Sequence, residues 1–490
     1  MSLMLRRRLA GAAAALVAAG TLASCGGAAG SGVPDTGAAT AGTSASAAET
    51  DIYDALKVKD YGGRVFRVLT NYSNYAVTDF DFDSLSGELI EDTIYNRDRL
   101  VEEKLNIKIE NTKSPEDYNY VQNELKKTAA SGDDLYDVMF SEAGISASSA
   151  ADGYMLDLRS IPDLDLSQPW WEQEANRWYE MNGHLYFTHS PMQLHYYESL
   201  IAIFFNKKVA GDAGMTGAEL YGSVDDGKWT YGSMLAASQS VNRDADGDGT
   251  LTADQDIIGT AISSTLMCYL PLSAGCRFTE IEGGSAVYKG ISDKLSSLTD
   301  QLKTFYQTTD NYVSYSTPGV KKLEGGYIGA FTQDHSLFLI DVLGTTRDLR
   351  SMESDYGILP LPKYDEAQKD YVSAAYNGSA ILFIPVTNAG ADEIGPILDM
   401  LGAYSYRELK PAYYEVNINA KSTRDEDSIR MLEILTSNIT FDLGLVYSWG
   451  NMNAAYQNTV IKGTDLISDF AKIEPQITSA IEKMTDRFAE

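Results

Sequence analysis

An acidic loop spanning residues 244–256 has the spacing of a calcium-binding site. Positions 1, 3 and 5 of such a loop are acidic and position 6 is glycine; the residues there are Asp244, Asp246, Asp248 and Gly249. Alternating carboxylates can surround one hard cation, and the backbone carbonyl of Thr250 at position 7 adds an oxygen. Gln255 replaces the usual acid of position 12, so Asp254 or Asp256 must complete the coordination shell. We predict a structural calcium site; the alternative is an acidic surface turn that binds cations weakly.

Catalytic motifs are missing from the sequence. Paired carboxylates could cleave a glycosidic bond, but no motif singles out such a pair among the 69 Asp and Glu residues. The sequence contains no Gly-x-Ser-x-Gly, no His-Glu-x-x-His and no phosphate-binding GxxxxGK[ST] motif. It also lacks a CxxC pair or a Cys/His cluster, so we expect no zinc site. These observations favour a protein that is not an enzyme.

Charge and composition restrict the partners. The formal net charge of −30 argues against nucleic acid and against anionic membrane surfaces. Tyrosine is abundant, with 31 residues, and its rings suit ligands that present flat faces. Two cysteines follow the N-terminal region, Cys268 and Cys276, and they form either a disulfide or two reduced, buried thiols.

The N-terminal segment has the features of an export signal. Three arginines at 6–8 precede an apolar run of about 14 residues, shorter than the ~20 that span a bilayer as a helix. The following Leu22-Ala23-Ser24-Cys25 resembles a bacterial lipobox, in which the cysteine is lipidated and becomes the mature N-terminus. We predict a lipoprotein signal peptide at 1–24 and a lipid anchor on Cys25, at the extracytoplasmic face of the cell membrane. An ordinary signal peptide is the alternative.

Residues 25–58 are rich in Gly, Ala and Ser and predict a flexible linker. The remaining body of roughly 440 residues exceeds the size of a single core, so we expect two lobes. Its first predicted strands are Arg64–Thr70, Ile107–Glu110 and Tyr136–Phe140, with amphipathic helices between them. This alternation predicts parallel βαβ units, whose ligands bind outside the carboxyl ends of the strands. Further strands are predicted at Leu200–Phe205, Tyr356–Pro362 and Ala380–Pro385.

Several segments together resemble one family, the extracellular solute-binding proteins (family 1) of ABC importers, a maltose-binding-protein-like group. The matching segments, in chain order, are Ile94–Glu103 (IYNRDRLVEE), Gly132–Val138 (GDDLYDV), Phe205–Lys208 (FNKK), Gly227–Thr230 (GKWT), Tyr356–Lys363 (YGILPLPK) and Tyr447–Trp449 (YSW). They span nearly the whole body, and their order behind a lipobox is more specific than any one of them.

The resemblance implies an α/β, two-lobed periplasmic-binding-protein-like fold with an interlobe ligand cleft and crossing hinge segments. By chain order, lobe one is expected at 60–198 plus 376–410 and lobe two at 200–374 plus 411–490. The crossings are then expected near Glu198–Leu200, Ala374–Asn377 and Arg407–Tyr413.

The resemblance also implies a function. The protein is expected to capture a sugar or oligosaccharide by closure of the lobes, without chemistry, and to deliver it as a monomer to the membrane permease of an ABC transporter. A receptor of the same fold for a peptide, a polyamine or a phosphorylated compound remains open. Two other functions also remain open: a sensor that signals to a membrane kinase, and a secreted enzyme that acts on glycans.

Sugar binding requires carboxylates or amides together with aromatic rings. The polar or aromatic candidates that follow predicted strands are Asn71, Tyr72, Ser141, Glu142, Gln333 and Asp334, the last two after a predicted strand at Gly329–Phe331. The resemblance adds Glu198 and Asn377 at two crossings and Trp449 as the ring that closes a sugar site. Trp171, beside Trp170, could line the cleft mouth or pack in the core. For the polar candidates the alternative is a solvated loop or a turn cap.

Overall fold

The computed structural model describes residues 53, 56–71, 80, 82–308, 311–418 and 426–489. The chain separates into two compact units, Met1–Thr50 and Asp51–Glu490, and all described residues belong to the second. The predicted signal peptide, most of the predicted linker, Cys25 and Tyr72 lie outside the described residues.

The described residues form thirteen strands. These are β1 (Arg64–Thr70), β2 (Ile107–Lys113), β3 (Val138–Glu142), β4 (Ile201–Asn206), β5 (Thr260–Ile262), β6 (Thr279–Glu282), β7 (Ser285–Tyr288), β8 (Tyr312–Val313), β9 (Phe338–Val342), β10 (Tyr356–Leu359), β11 (Ser373–Ala374), β12 (Ala380–Phe383) and β13 (Ile439–Thr440).

The described part also contains seventeen α-helices. They are α1 (Leu89–Leu105), α2 (Tyr120–Ser131), α3 (Ala143–Ser146), α4 (Gln173–Tyr179), α5 (His195–Glu198), α6 (Lys207–Asp212), α7 (Gly217–Asp225), α8 (Tyr231–Ser240), α9 (Leu270–Ser273), α10 (Asp293–Gln307), α11 (Gly326–Thr332), α12 (Gly395–Tyr404), α13 (Lys410–Ile418), α14 (Glu426–Ser437), α15 (Leu443–Tyr447), α16 (Met452–Lys462) and α17 (Leu466–Arg487). A π-helical segment, Ser405–Leu409, joins α12 to α13. Among the described helices, none is both long and apolar enough to span a membrane.

The first sheet has four strands in the order β12-β3-β1-β2. Strand β1 runs parallel to β2 and β3, and β12 closes one edge antiparallel to β3. Helix α1 connects β1 to β2, and it buries Ile94, Val101 and Leu105 on one face. The left-handed backbone of Asn106 (φ 51°) ends that helix and starts β2. The βαβ units predicted from the sequence are therefore confirmed.

The second sheet has five strands in the order β10-β4-β9-β5-β8. Strands β5, β8 and β9 are parallel to one another, whereas β4 runs antiparallel to both β9 and β10. Every residue of β4 is buried, as the sequence IAIFFN requires of a strand covered on both faces. We call the lobe built on the first sheet lobe one and the lobe built on the second sheet lobe two.

Two of the predicted crossing segments are hydrogen-bonded to each other. Leu200 pairs antiparallel with Ala375, and the backbone N–H of Tyr376 donates to the carbonyl of Ser199 over 3.0 Å. The chain thus has the predicted two-lobed α/β architecture. The lobe boundaries assigned from the sequence stay predictions.

The predicted strand at Gly329–Phe331 is wrong. These residues belong to α11, which begins after the left-handed Gly325 (φ 83°) and buries Tyr327, Ala330 and Phe331 at helical spacing. The neighbouring strand is β9, whose residues FLIDV are all buried. Cys268 and Cys276 are buried free thiols, so of the two alternatives the structure shows the reduced one.

Candidate functional site

A pocket of about 240 Å³ lies where the two sheets and the paired crossings meet. We call it the cleft pocket. Its lining residues are Tyr118, Glu142, His195, Glu198, Ser199, Ser263, Thr265, Leu266, Tyr315, Tyr327, Asp341, Val342, Tyr376 and Gly378. The pocket combines three carboxylates with four tyrosines, and among these described residues there is no lysine or arginine.

The strand ends explain why these residues meet. Glu142 is the last residue of β3 in lobe one, and Asp341 is the penultimate residue of β9 in lobe two. Ser263 directly follows β5, which is parallel to β9. Because parallel strands present their carboxyl ends at one edge of a sheet, both lobes direct polar side chains into the same space.

Glu198 ends α5 at the first crossing and is 2% exposed. One of its carboxylate oxygens forms a close ion pair with the Arg347 guanidinium of lobe two. The other, Oε2, has no hydrogen-bond partner among the described residues and lies 3.7 Å from Nδ1 of His195. His195 Nε2 lies 2.8 Å from the carbonyl oxygen of Gly378, to which it donates. Glu198 therefore links both crossings to lobe two.

Asp341 is held by two donors. The hydroxyl of Tyr327 donates to Oδ2 over 2.5 Å, and the backbone N–H of Val342 donates to Oδ1 over 2.7 Å. Burial nevertheless raises the pKa of Asp341 to about 6. Burial also raises the pKa of Glu142, against the opposing effect of His195. In both cases burial is the main cause, because it disfavours the charged form of a carboxyl group.

The tyrosines supply aromatic surface around the carboxylates. Tyr315 is 58% exposed and Tyr118 is 41% exposed, so both rings face solvent at the pocket mouth. Tyr315 packs edge-on against Tyr327 with ring centroids 4.7 Å apart. Tyr376 packs edge-on against Tyr269 at 5.5 Å. These contacts fix the rings in place before any ligand arrives.

Of the residues predicted from the sequence to contact ligand, Glu142 and Glu198 line the cleft pocket. Asn377 lies beside it, with its side-chain amide 3.4 Å from the carbonyl of Leu445. Ser141 is buried and accepts a hydrogen bond from the hydroxyl of Ser146. Asn71 follows β1 and is half-buried, outside the pocket lining.

The predicted tryptophans belong to the core. Trp170 and Trp171 are each 1% exposed, and both indole N–H groups donate to Oδ1 of Asp399, over 2.9 and 2.8 Å. Trp449 is 5% exposed and stacks on Tyr447 with ring centroids 5.2 Å apart. The structure thus places Trp171 and Trp449 outside the cleft pocket.

Gln333 and Asp334 lie at the other end of lobe two. They precede β9, whereas the cleft pocket lies at the end of that strand. Asp334 accepts hydrogen bonds from the amide of Asn206 (2.6 Å) and the hydroxyl of Ser354 (2.9 Å). The two residues were predicted at the pocket because residues 329–331 were assigned to a strand. These residues are helical, so Gln333 and Asp334 come before a strand instead of after one.

Sequence reasoning missed Asp341, His195 and the four pocket tyrosines. Asp341 carried a signal, since a carboxylate inside the apolar run Phe338–Val342 is costly unless it is used. No feature of the sequence distinguishes the four pocket tyrosines from the others, because the chain has 31 tyrosines in all.

The acidic loop brings three of its predicted ligands together. Asp244, Asp246 and Asp256 each offer a carboxylate oxygen within 4.8 Å of the others. Asp256 is fully buried, whereas Asp254 is paired with Lys322 at 2.8 Å. Three clustered carboxylates are the kind of donors that a hard divalent cation takes, and of the two acids left open by the sequence it is Asp256 that lies in the cluster. The Oδ1 of Asp248 accepts the N–H of Thr250.

The chain resembles known proteins in structure but not in sequence. No family model and no curated protein matches the sequence. The chain is similar to the galacto-N-biose/lacto-N-biose I-binding protein of an ABC transporter from Bifidobacterium longum, in complex with lacto-N-biose (TM-score 0.59, 10% identity, 87% of this chain and 99% of that chain covered). The chain has the two-lobed fold of ABC substrate-binding proteins.

The chain is similar in fold to two further solved structures. One is UgpB from Mycobacterium tuberculosis in complex with glycerophosphocholine (TM-score 0.57, 13% identity, 86% of this chain and 99% of that chain). Another is the cyclic α-maltosyl-1,6-maltose binding protein from Arthrobacter globiformis (TM-score 0.57, 11% identity, 86% and 99%). At these identities the similarity concerns the fold.

Proposed function

We propose that this protein is a lipid-anchored, extracytoplasmic solute-binding protein of family 1 that captures a sugar or oligosaccharide for an ABC importer. The observation that carries the proposal is the cleft pocket, to which both lobes and both crossings contribute polar and aromatic side chains. Solved proteins of the same fold, named as binding proteins for lacto-N-biose and for cyclic α-maltosyl-1,6-maltose, support it.

Closure of the lobes is the proposed mechanism. Glu142 reaches the pocket from lobe one and Asp341 from lobe two, so a solute that contacts both stabilises the closed arrangement. The extent of closure is set by the difference between the affinities of the closed and open forms. Glu198 lies at the crossing, where its ion pair with Arg347 connects the hinge to lobe two. The permease would recognise the closed form, and the solute leaves unchanged.

The pocket chemistry favours a polyhydroxylated solute. Carboxylates accept hydrogen bonds from hydroxyl groups, and tyrosine rings cover the apolar C–H faces of a sugar. Tyr118 and Tyr315 offer such faces at the mouth, and Ser263 and Thr265 add hydroxyls to the pocket lining. Asn377, adjacent to the pocket, is a further proposed contact.

The test is a thermal-shift screen of mono- and oligosaccharides, peptides and polyamines, followed by calorimetric titration of whatever raises the melting temperature. We expect a sugar to bind and the radius of gyration from small-angle X-ray scattering to fall on binding. Tyr315→Ala should weaken binding about tenfold, as the loss of one aromatic contact predicts. Ile467→Ala, which truncates an exposed residue of α17, should not. A screen in which only peptides shift the melting temperature would refute the carbohydrate assignment.

A further inference from the structure

The charges of the cleft pocket are unbalanced. Glu142, Glu198 and Asp341 bring three carboxylates into a cavity of about 240 Å³. Among the described residues, the guanidinium of Arg347 pairs with Glu198. Arg350 lies beyond Glu198 in a separate groove that also contains Arg347. The described lining contains no lysine or arginine, and its histidine, His195, faces Glu142 and Glu198 rather than Asp341.

A neutral solute would leave this charge uncompensated. Sugar hydroxyls can donate hydrogen bonds to a carboxylate, but they carry no charge to replace the water that leaves when the lobes close. Removing an ionised carboxylate from water is costly unless a counter-charge accompanies it. The raised pKa values of Glu142 and Asp341 report the same cost.

The orientation of Glu198 adds an independent observation. Its side chain is 3% exposed, and its Oε2 has no hydrogen-bond partner among the described residues. A buried acceptor of this kind costs free energy unless a ligand satisfies it. Glu198 is one of the residues that line the cleft pocket.

The aromatic residues of the pocket favour a positively charged ligand, as the carboxylates do. Tyr118, Tyr315, Tyr327 and Tyr376 surround the same cavity. The face of a tyrosine ring carries negative electrostatic potential and attracts a cation placed over it. A net charge of −30 additionally concentrates cations near the protein.

We propose that the cleft pocket binds a protonated amino group of its solute, between Glu142, Glu198 and Asp341, so that the solute is an amino sugar. The proposal rests on the proposed function and narrows it. It places the positive charge of the solute among the carboxylates and leaves the tyrosines to cover the sugar ring.

Binding should then depend on pH through Asp341. The groups that face this carboxylate are Tyr327, Thr345 and Asp348, while His195 faces Glu142 and Glu198. Asp341 must be ionised to hold a cation, and its pKa of about 6 means that roughly one molecule in ten is ionised at pH 5. The affinity for an amine should therefore fall about tenfold between pH 7 and pH 5.

The test compares matched pairs by thermal shift and calorimetric titration of the full chain. Glucosamine is paired with N-acetylglucosamine, and fully deacetylated chitobiose with its diacetyl form; putrescine and spermidine are amines without a sugar. We expect a free-amine sugar to bind at least about tenfold more tightly than its acetylated partner at pH 7. Glu142→Gln and Asp341→Asn should reduce that preference, whereas Glu433→Gln, an exposed carboxylate of α14, should keep it.

The outcomes separate the two proposals. If acetylated or neutral sugars bind as tightly as the free amines, the amine inference fails and the carbohydrate proposal stands. If only putrescine or spermidine binds, the carbohydrate proposal fails and so does the assignment of an amino sugar, and only the amine-binding site among the carboxylates stands. If no amine in the panel binds, the inference is overturned.

Discussion

Asp341 is a buried carboxylate in the lining of the cleft pocket. Its side chain accepts hydrogen bonds from Tyr327 and from the backbone of Val342, yet burial still raises its pKa to about 6. In the unfolded chain the pKa of an aspartate is about 3.9. The folded protein therefore binds a proton more readily than the unfolded chain does between these two values.

This difference predicts how the stability depends on pH. Because the folded-state pKa is raised, the folded state gains stability as the pH falls from 7 toward 4. Asp341→Asn removes that gain, so the wild type should become more stable relative to this variant by about 2 kcal/mol over that range. Urea unfolding of both proteins at pH 7 and pH 4.5 measures the change. A difference between the two proteins that is independent of pH would contradict the prediction.

The candidate site was only partly predictable from the sequence. Glu142 was predicted because it follows a strand that the βαβ pattern identifies, and Glu198 because a family resemblance places it at a crossing. Asp341 depended on the assignment of β9, which the sequence analysis placed several residues too early. The pocket tyrosines come from four separate parts of the chain, and only the tertiary structure brings them together.

At the scale of elements, local patterns identified most strands and helices. Strand β1 was predicted with its observed bounds, and α17 differs from its prediction only because Asp465 caps the helix. The capping carboxylate accepts the N–H of Ser468 over 2.8 Å. Helix α11 was missed because its glycine-rich sequence has low helix propensity and is held by burial of Tyr327 and Phe331. Tertiary packing overrode the local preference there.

The prediction at the scale of elements concerns calcium binding by the acidic loop. Calcium should raise the melting temperature of metal-free protein, since a ligand bound only by the folded state adds stability. Asp246→Asn should abolish the increase because it removes one of the three clustered carboxylates. Asp254→Asn should preserve it, because Asp254 is paired with Lys322. Equal melting temperatures with calcium and with chelator would refute the site.

At the scale of the whole molecule, the two paired crossings make one hinge. Because Leu200 and Ala375 are bridged and Ser199 accepts the N–H of Tyr376, the crossings must bend together. We expect closure to be a rotation of nearly rigid lobes about this pair, as in other hinge motions. Glu198 lies immediately before the hinge, so its contacts are the ones that such a rotation would alter first.

The proposed lipid anchor on Cys25 can be tested in the intact chain. Expressed with its N-terminus in a bacterium that lipidates exported proteins, the wild type should partition into the detergent phase of a Triton X-114 extract. Cys25→Ser should shift the protein to the aqueous phase, because the acyl chains that hold it at the membrane cannot be attached. Solute affinity should be equal in both proteins. Detergent partitioning of the Cys25→Ser variant would exclude this cysteine as the anchor.

The position of β12 has a consequence for biosynthesis. This strand completes the first sheet by pairing with β3, where Ala380 lies opposite Glu142, yet a ribosome makes it only after every strand of the second sheet. Until then the nascent chain carries β3 with an open edge, a surface prone to aggregation. The first sheet cannot be finished ahead of the second, so we expect the nascent polypeptide to depend on chaperones until residue 383 has emerged.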